Sequence, residues 1–486
     1  MAAFTLCIVL LLSVGIAIAS RRGAVQQNMS EVMVASRSFG AVLLFIVAVG
    51  ETYSVGTMIG VPGAVYGKGA SYAVWFMGYL CLGFCLGYFI NPMIWRLGRL
   101  SGAVTIAETF RWRFNSRPLE CLIAVMMVIF LTPWIQMQFT GLGVVLKYVG
   151  FEISYVTGVF VATIIAYGYI AIAGIRAPAW VSILKDFLML FAMVIGGLVV
   201  AAKYPGGVEG IFMEAARVAP EKLIVETVPV TKNLTFMYST IIFQTMGLCM
   251  FPLTFQFIFT GRSEDTVRRN QIFMPLYMYM YPFLILTAYF VLATMPGLSN
   301  PDEAFMALIQ SELPPWLVGI VAGGAVLTCI LVASLCALSI GGFLTQNIIG
   351  QFKRDMSPKT SVVITQFATA SFLLFSAFLA VYLPTLLLGI TNFAYFGFTQ
   401  MFTLTVAAAF WGRATKQGAF AGLFVGLIFV FVLVGFNINT WGINKGLIAL
   451  FFNAIALVSV SLATQPDEVT KKNYETFINY NPAVKA

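Results

Sequence analysis

The 486-residue chain contains no histidine. That excludes histidine-based proton relays and removes the commonest ligand of transition metals. Charge is scarce as well. Lys, Arg, Asp and Glu make up 10% of the residues, against about a quarter in soluble globular domains. No basic tract with interleaved aromatics occurs, so the net charge of +9 does not mark a nucleic-acid binder. The seven cysteines, Cys7, Cys81, Cys85, Cys121, Cys249, Cys329 and Cys336, all fall inside apolar runs. They read as small hydrophobes, not as a disulfide framework. Nothing in the sequence groups a nucleophile with an acid and a base, so an enzyme is not expected, and neither is a cofactor or a metal.

What is present is apolar length. Hydrophobic residues make up 60% of the chain and mean hydropathy is +0.92. The expectation is an all-α polytopic protein of the lipid bilayer, in the cell membrane. Runs of about 20 residues suffice to cross ~30 Å of hydrocarbon. Thirteen are found: 2–20, 38–65, 70–95, 119–149, 154–173, 177–202, 235–260, 270–295, 316–350, 360–382, 385–410, 417–437 and 447–464. With the amino terminus outside, twenty of the 28 Lys and Arg residues lie in inside loops and seven in outside loops, leaving Lys185. That asymmetry supports an outside amino terminus and a cytoplasmic carboxyl terminus. The first run ends in a signal-peptide-like "AIAS", but its arginines follow it instead of preceding it, so it reads as a retained helix. The loops 204–233 and 297–315 read as short amphipathic helices over an entrance, or as plain loop packing. The polar tail, 465–486, is expected to be poorly ordered.

Two runs carry interruptions. The second reads "VAVGETYSVGTMIGVPGAVYGKG", with Gly50, Glu51, Gly56, Gly60, Pro62 and Gly63. The seventh reads "FQTMGLCMFPLTFQF", with Gly247 and Pro252 near its middle. Membrane helices tolerate single Gly and Pro residues. Two interrupted runs five apart in order fit two inverted five-helix repeats, each opening with a broken helix whose unwound backbone suits an ion or a small solute.

Several segments resemble the sodium:solute symporter family. They are "VASRSFG", "GVPGAVYGKG", "TIAETFRWRF", "LTPWIQMQFTGLG" with Trp134, Gln138, Gly141 and Gly143, "AGIRAPAWVSILKDFLML", and "GLCMFP". The resemblance implies the five-plus-five inverted-repeat transporter fold (LeuT-like), with one helix before it and more after. The implied division is 1–37, an extra helix and cytoplasmic segment; 38–202, the first repeat; 203–234, an extracellular loop; 235–410, the second repeat; 411–464, two peripheral helices; and 465–486, a cytoplasmic tail.

Departures from the family pattern are informative. The fifth core helix of the family usually has Thr-Asp, then Gln three residues after the Asp. Here Val181, Ser182 and Lys185 stand there. The family's paired hydroxyl residues in the eighth core helix fall on Leu331 and Val332, counted back from Asn347-Ile348-Ile349. Shifted by two, the pair becomes Ala333 and Ser334. The resemblance therefore implies a depleted sodium site and a new cation.

Glu51, Lys185 and Asp186 are the ionisable residues set within the spans. A central Lys or Asp costs ~2.5–3.5 kcal/mol to insert. Adjacent residues on a helix point ~100° apart, so Lys185 and Asp186 are expected not to face one line. One reading makes Lys185 a tethered cation in the sodium position. It would join the first and eighth core helices, with Glu51 as counter-ion or proton carrier and transport coupled to protons or independent of sodium. The others are a static Lys185–Glu51 or Lys185–Asp186 pair that only ties helices together, and a lysine snorkelling to the interface.

The third and seventh spans hold few hydrogen-bonding side chains, so a polyhydroxylated sugar would be left unpaired. A small organic solute with one charged group and an apolar body fits better, a monocarboxylate or an apolar amino acid. Its carboxylate could meet a half-helix end. Candidate solute contacts are Thr52, Tyr53, Gly56, Thr57, Trp134, Gln138, Gln244, Phe251 and Asn392; coupling candidates are Lys185, Glu51, Asp186 and Ser334. Two other readings stand beside this one: a conventional sodium-coupled symporter, and a membrane sensor built on a transporter core.

Overall fold

The computed structural model describes residues 1–21, 28–52, 54–150, 154–225, 234–353, 356–383 and 387–480, apart from the side chains of Glu51 and Leu388. The described residues form helices with no strand, save one isolated backbone bridge between Phe39 and Gly261. In chain order the α-helices of eight or more residues are α1 (Ala2–Ser20), α2 (Ala41–Thr52), α3 (Val61–Lys68), α4 (Ala70–Ser101), α5 (Ile106–Phe114), α6 (Arg117–Val149), α7 (Tyr155–Ala173), α8 (Arg176–Lys203), α9 (Gly207–Val218), α10 (Leu234–Cys249) and α11 (Pro252–Thr260). They continue with α12 (Glu264–Phe273), α13 (Tyr281–Thr294), α14 (Ala304–Glu312), α15 (Pro315–Gly342), α16 (Pro358–Tyr382), α17 (Leu387–Phe398), α18 (Met401–Phe410), α19 (Lys416–Gly435), α20 (Lys445–Ala463) and α21 (Glu468–Ile478).

Twelve helical stretches among the described residues are long and apolar enough to cross a membrane, one fewer than the thirteen expected runs. The difference is the second run, 38–65. It is divided between α2 and α3, joined through a π-helical turn at Gly56–Gly60, and neither half alone has the length to span. The seventh run is broken too. Phe251 takes an extended conformation (φ −68°, ψ 131°) and Pro252 restarts the helix at its first position. Proline lacks an N–H and fixes φ, so it cannot continue α10 but suits the first turn of α11.

The centre of the bundle is α15, buried along nearly its whole length. Small residues bring its neighbours close. A Cβ at Gly319 would sit 1.9 Å from Thr5 Oγ1, and one at Gly323 would sit 2.9 Å from Val9 Cβ, so α1 lies directly along α15. Ser13 of α1 also reaches the Tyr169 hydroxyl of α7 at 2.6 Å. α8 runs antiparallel to α15. Its first residue, Arg176, pairs with Glu31, at the end of the bundle where α15 finishes with Gly342 against Met33. Its last, Lys203, pairs with Glu312 at 3.1 Å, just before α15 begins.

Both amphipathic loop segments are helical, as α9 and α14; residues 226–233 lie outside the described residues. The tail differs from expectation. Instead of lying loose, it forms α21, capped by the Asp467 side chain on Thr470 N–H. Arg113 of α5, fully buried, donates to the carbonyls of Ala408, Trp411 and Thr470. Its guanidinium also lies 4.7 Å from the Tyr474 ring centre. Phe477 is buried. The tail's low apolar content concealed this, because its partners sit more than 350 positions earlier.

Candidate functional site

A helix leaves its last four carbonyls without intrahelical partners, and inside a bilayer they must be satisfied by protein. α2 ends at Thr52, and side chains from other elements take up its carbonyls. The Lys185 ammonium of α8 donates to the Gly50 carbonyl. The Thr52 carbonyl accepts from Thr57 Oγ1 at 2.6 Å and lies 2.9 Å from the Tyr277 hydroxyl. Tyr277 also lies 2.8 Å from Thr57 Oγ1 and 3.3 Å from the Tyr281 hydroxyl. A cation at a helix carboxyl end is stabilised by the helix dipole.

Lys185 is 1% exposed, and its Nζ also lies 2.8 Å from Asp186 Oδ1. The expectation that these two residues could not face one line is therefore wrong. The helical wheel places their Cβ atoms ~100° apart, but the four-carbon lysine stem is long enough to bend its head back to the neighbouring carboxylate. Lys185 does not snorkel; it turns into the bundle. Both Asp186 carboxylate oxygens are buried and make no hydrogen bond among the described residues beyond this ion pair. The pair lies against Gly50, where a Cβ would sit 2.9 Å from each Asp186 oxygen and 3.1 Å from Lys185 Nζ. Glu51 adjoins this point in sequence, but its side chain lies outside the described residues, as does Tyr53 altogether.

On the other side of α8, Gly324 of α15 meets Leu188. With the two helices antiparallel, one turn toward Arg176 on α8 corresponds to one turn toward Gly342 on α15. Lys185 is then level with Leu327 and Thr328, and Val181 with Leu331. Leu331 and Val332 are both buried and carry no side-chain oxygen. Ser334 is buried, and its hydroxyl donates back to the Leu331 carbonyl at 2.7 Å. Thr328 does the same to Gly324 at 2.9 Å.

Beside the break lies a cavity of about 40 Å³, room for about three waters. It is lined by Thr52, Gly56, Thr57, Trp134 and Phe251, five of the nine solute contacts expected from the sequence, together with Ser54, Phe76, Tyr79, Met137, Tyr281, Thr391 and Tyr395. Its walls are largely aromatic. The Trp134 ring lies 4.9 Å from Phe251 and 6.2 Å from Tyr395, centre to centre. Trp134 Nε1 is buried with no hydrogen-bond partner among the described residues.

The remaining polar candidates do not line it. Gln244 accepts from Trp75 Nε1 at 2.7 Å and donates to Asn392 Oδ1 at 3.0 Å, a chain of contacts between α10, α4 and α17. Gln138 donates to its own helix at the Trp134 carbonyl, 3.2 Å away. Sequence reasoning missed Tyr277, Tyr281 and Tyr395, aromatics in apolar segments where a core ring and a cavity ring look alike.

The sequence profile of the sodium:solute symporter family matches residues 32–426. The chain belongs to that family. As a family member it is a membrane transporter, not an enzyme. It is 25% identical over 485 residues to the sodium/proline symporter of Escherichia coli (strain K12), covering 94% of this chain and 93% of that one. It is 25% identical over 312 residues to a monocarboxylate transport permease protein of Rhizobium johnstonii, 64% of this chain and 62% of the relative. Among solved structures, an outward-open, substrate-bound Na+-coupled sialic acid symporter superposes with a TM-score of 0.81 at 16% identity, over 96% of this symporter and 98% of that chain. At that identity the likeness establishes the fold, which is LeuT-like.

Proposed function

We propose that this symporter carries a small organic solute with one charged group and an apolar body, a monocarboxylate or an apolar amino acid, and that Lys185 stands in for the sodium ion. Transport is then proton-coupled or independent of sodium. The observation that carries the reading is the Lys185 ammonium on the Gly50 carbonyl at the break of α2, in a chain whose Leu331 and Val332, the positions at which the family resemblance puts paired hydroxyls, are buried and offer no side-chain oxygen. A sodium ion needs several oxygens to replace its water. The hydroxyls nearest in sequence, Thr328 and Ser334, donate back to their own helix, and their two oxygens are fewer than the several that a sodium ion needs. A tethered ammonium supplies the positive charge without that coordination shell.

The central cavity supports the solute class. Its free donor, Trp134 Nε1, and the start of the helical segment resuming at Gly56 suit a carboxylate. Its aromatic walls suit an apolar body. The relatives named for proline and for monocarboxylates fall in this class of solute. We further assign the end bearing Arg37, Arg96 and Arg176 to the cytoplasm, following the excess of positive charge there. Protonated Lys185 would hold the cytoplasmic half of the broken helix against α8; loss of the proton would release it and let the bundle reopen.

The test is uptake of radiolabelled L-proline and pyruvate into proteoliposomes under an imposed sodium gradient and, separately, an imposed pH gradient. Uptake driven by the pH gradient, or equal uptake with and without sodium, supports the reading. Sodium-driven uptake that ignores pH would overturn it in favour of conventional sodium coupling. Binding of solute with no uptake under either gradient would favour a sensor.

A further inference from the structure

We propose that the transporter has a second solute-binding site next to the central cavity, built by the carboxamides of Asn91 and Asn270, which receives the ammonium group of an amino-acid solute. The inference rests on the reading of the chain as a carrier of small organic solutes and narrows it, favouring an amino acid over a monocarboxylate. The site is a cavity of about 40 Å³ between α2, α4, α11 and α12. Thr52 and Leu248 line both this cavity and the central one, so the two form consecutive chambers. The second lies nearer the end where Arg96 of α4 pairs with Glu264 of α12.

Most of its wall is apolar, with Leu44, Phe84, Phe257 and Val267. Against that wall stand two buried carboxamides, Asn91 (2% exposed) and Asn270 (7% exposed). The Oδ1 atom of each is buried without a hydrogen-bond partner among the described residues. Native proteins rarely leave buried acceptors open, and two in one chamber call for a ligand. Gly87 gives the Asn91 and Gln271 side chains room on this wall. Asn91 Nδ2 and Gln271 Oε1 come within 3.0 and 2.5 Å of the point where a Gly87 Cβ would sit. Among the described residues, no Lys, Arg, Asp or Glu lines the chamber. Two open acceptors without a cation suit a donor-rich group, and an ammonium carries three N–H donors. A carboxylate would meet oxygen with oxygen. The central cavity, with its free Trp134 donor, presents the opposite preference. A zwitterion can use both chambers in turn on its way through.

Cys249 lines the same chamber and makes the test independent of the solute. In full-length protein with the other six cysteines replaced by alanine, the rates of Cys249 modification by 2-aminoethyl and 2-sulfonatoethyl methanethiosulfonate are measured in detergent. Each is divided by the reagent's rate with free 2-mercaptoethanol. The cationic reagent is expected to be favoured at least tenfold, and the N91L/N270L double variant to bring the ratio near one. N91L and N270L alone, each expected to lower the ratio about threefold, serve if the double variant does not elute as a single species. A ratio near one in the parent, a ratio indifferent to both substitutions, or no modification by either reagent overturns the proposal. Failure of solute uptake with charge-selective labelling intact would sink the carrier reading instead, and uptake without selectivity would sink only the second site.

Discussion

The ammonium of Lys185 caps the carbonyl of Gly50, 135 positions earlier, while its own neighbour Asp186 holds it from the side at 2.8 Å. One charged head thus ties the end of α2 to α8, and removing it leaves two problems at once. Lys185→Met should strand a buried carboxylate and an open carbonyl, which costs about 3–5 kcal/mol. Thermal unfolding in detergent should show that loss. Adding Asp186→Leu should recover most of the stability while coupled uptake stays abolished. Full recovery of uptake in the double variant would reduce the pair to scaffolding.

Trp134 offers the free donor of the central cavity, and its ring is held by Phe251 and Tyr395. Trp134→Phe keeps an aromatic wall and removes the N–H. One hydrogen bond to the solute is worth about 1 kcal/mol, so KM for uptake should rise about fivefold with unfolding temperature nearly unchanged. An unaltered KM would mean that the solute does not reach the indole N–H.

Asp302 provides a pH signature outside the spans. It precedes α14, is buried against Gly63 of α3, and accepts the Leu387 N–H at the start of α17 at 3.2 Å. Its neighbour Glu303 is paired with Lys147 at 2.7 Å and accepts from the Tyr148 hydroxyl at 2.7 Å. Burial pushes the Asp302 carboxyl up to about 6, against the lowering effect of the Leu387 N–H. A folded-state value above the unfolded one means the folded protein holds the proton longer. Stability is therefore greatest below the ordinary carboxyl range, near 4, and falls as pH rises to about 6, by roughly 1–3 kcal/mol. The unfolding temperature should drop across that window and level off above it. In Asp302→Asn the drop should shrink; an unchanged profile would assign it to other carboxyls.

The docked tail gives a fourth expectation. A chain ending at Thr464 loses the buried Phe477 ring and the Tyr474 face over Arg113. Arg113 keeps the Ala408 and Trp411 carbonyls. The loss should be about 2–4 kcal/mol, seen as a lower unfolding temperature. A truncated protein as stable as the full chain would mean the docking contributes nothing.

How much of this was legible in the sequence depended on range. Hydropathy located the spanning helices because each is a local property of about 20 residues. The Gly and Pro clusters located both breaks, because a missing N–H or a missing Cβ acts on the spot. Lys185 stood out because a charge in an apolar run is costly wherever it points. The choice of partner between Glu51 and Asp186 stayed open, since a helical wheel carries no information about where a long side chain ends. The carbonyl caps from Tyr277 and the Gln244–Asn392 contact join positions 225 and 148 residues apart. No local pattern marks such pairs. The tail was misread for the same reason: composition measures how apolar a segment is, not whether a distant arginine is waiting for its backbone.

The break in α2 has a further consequence. Its carbonyls are held by side chains on elements that a carrier must move relative to one another. Isotope-edited infrared spectroscopy, with 13C=18O at Gly50, would therefore record the working cycle as a band that shifts when the ammonium arrives and departs. A structural joint becomes an intrinsic vibrational reporter, one bond wide, with no dye attached.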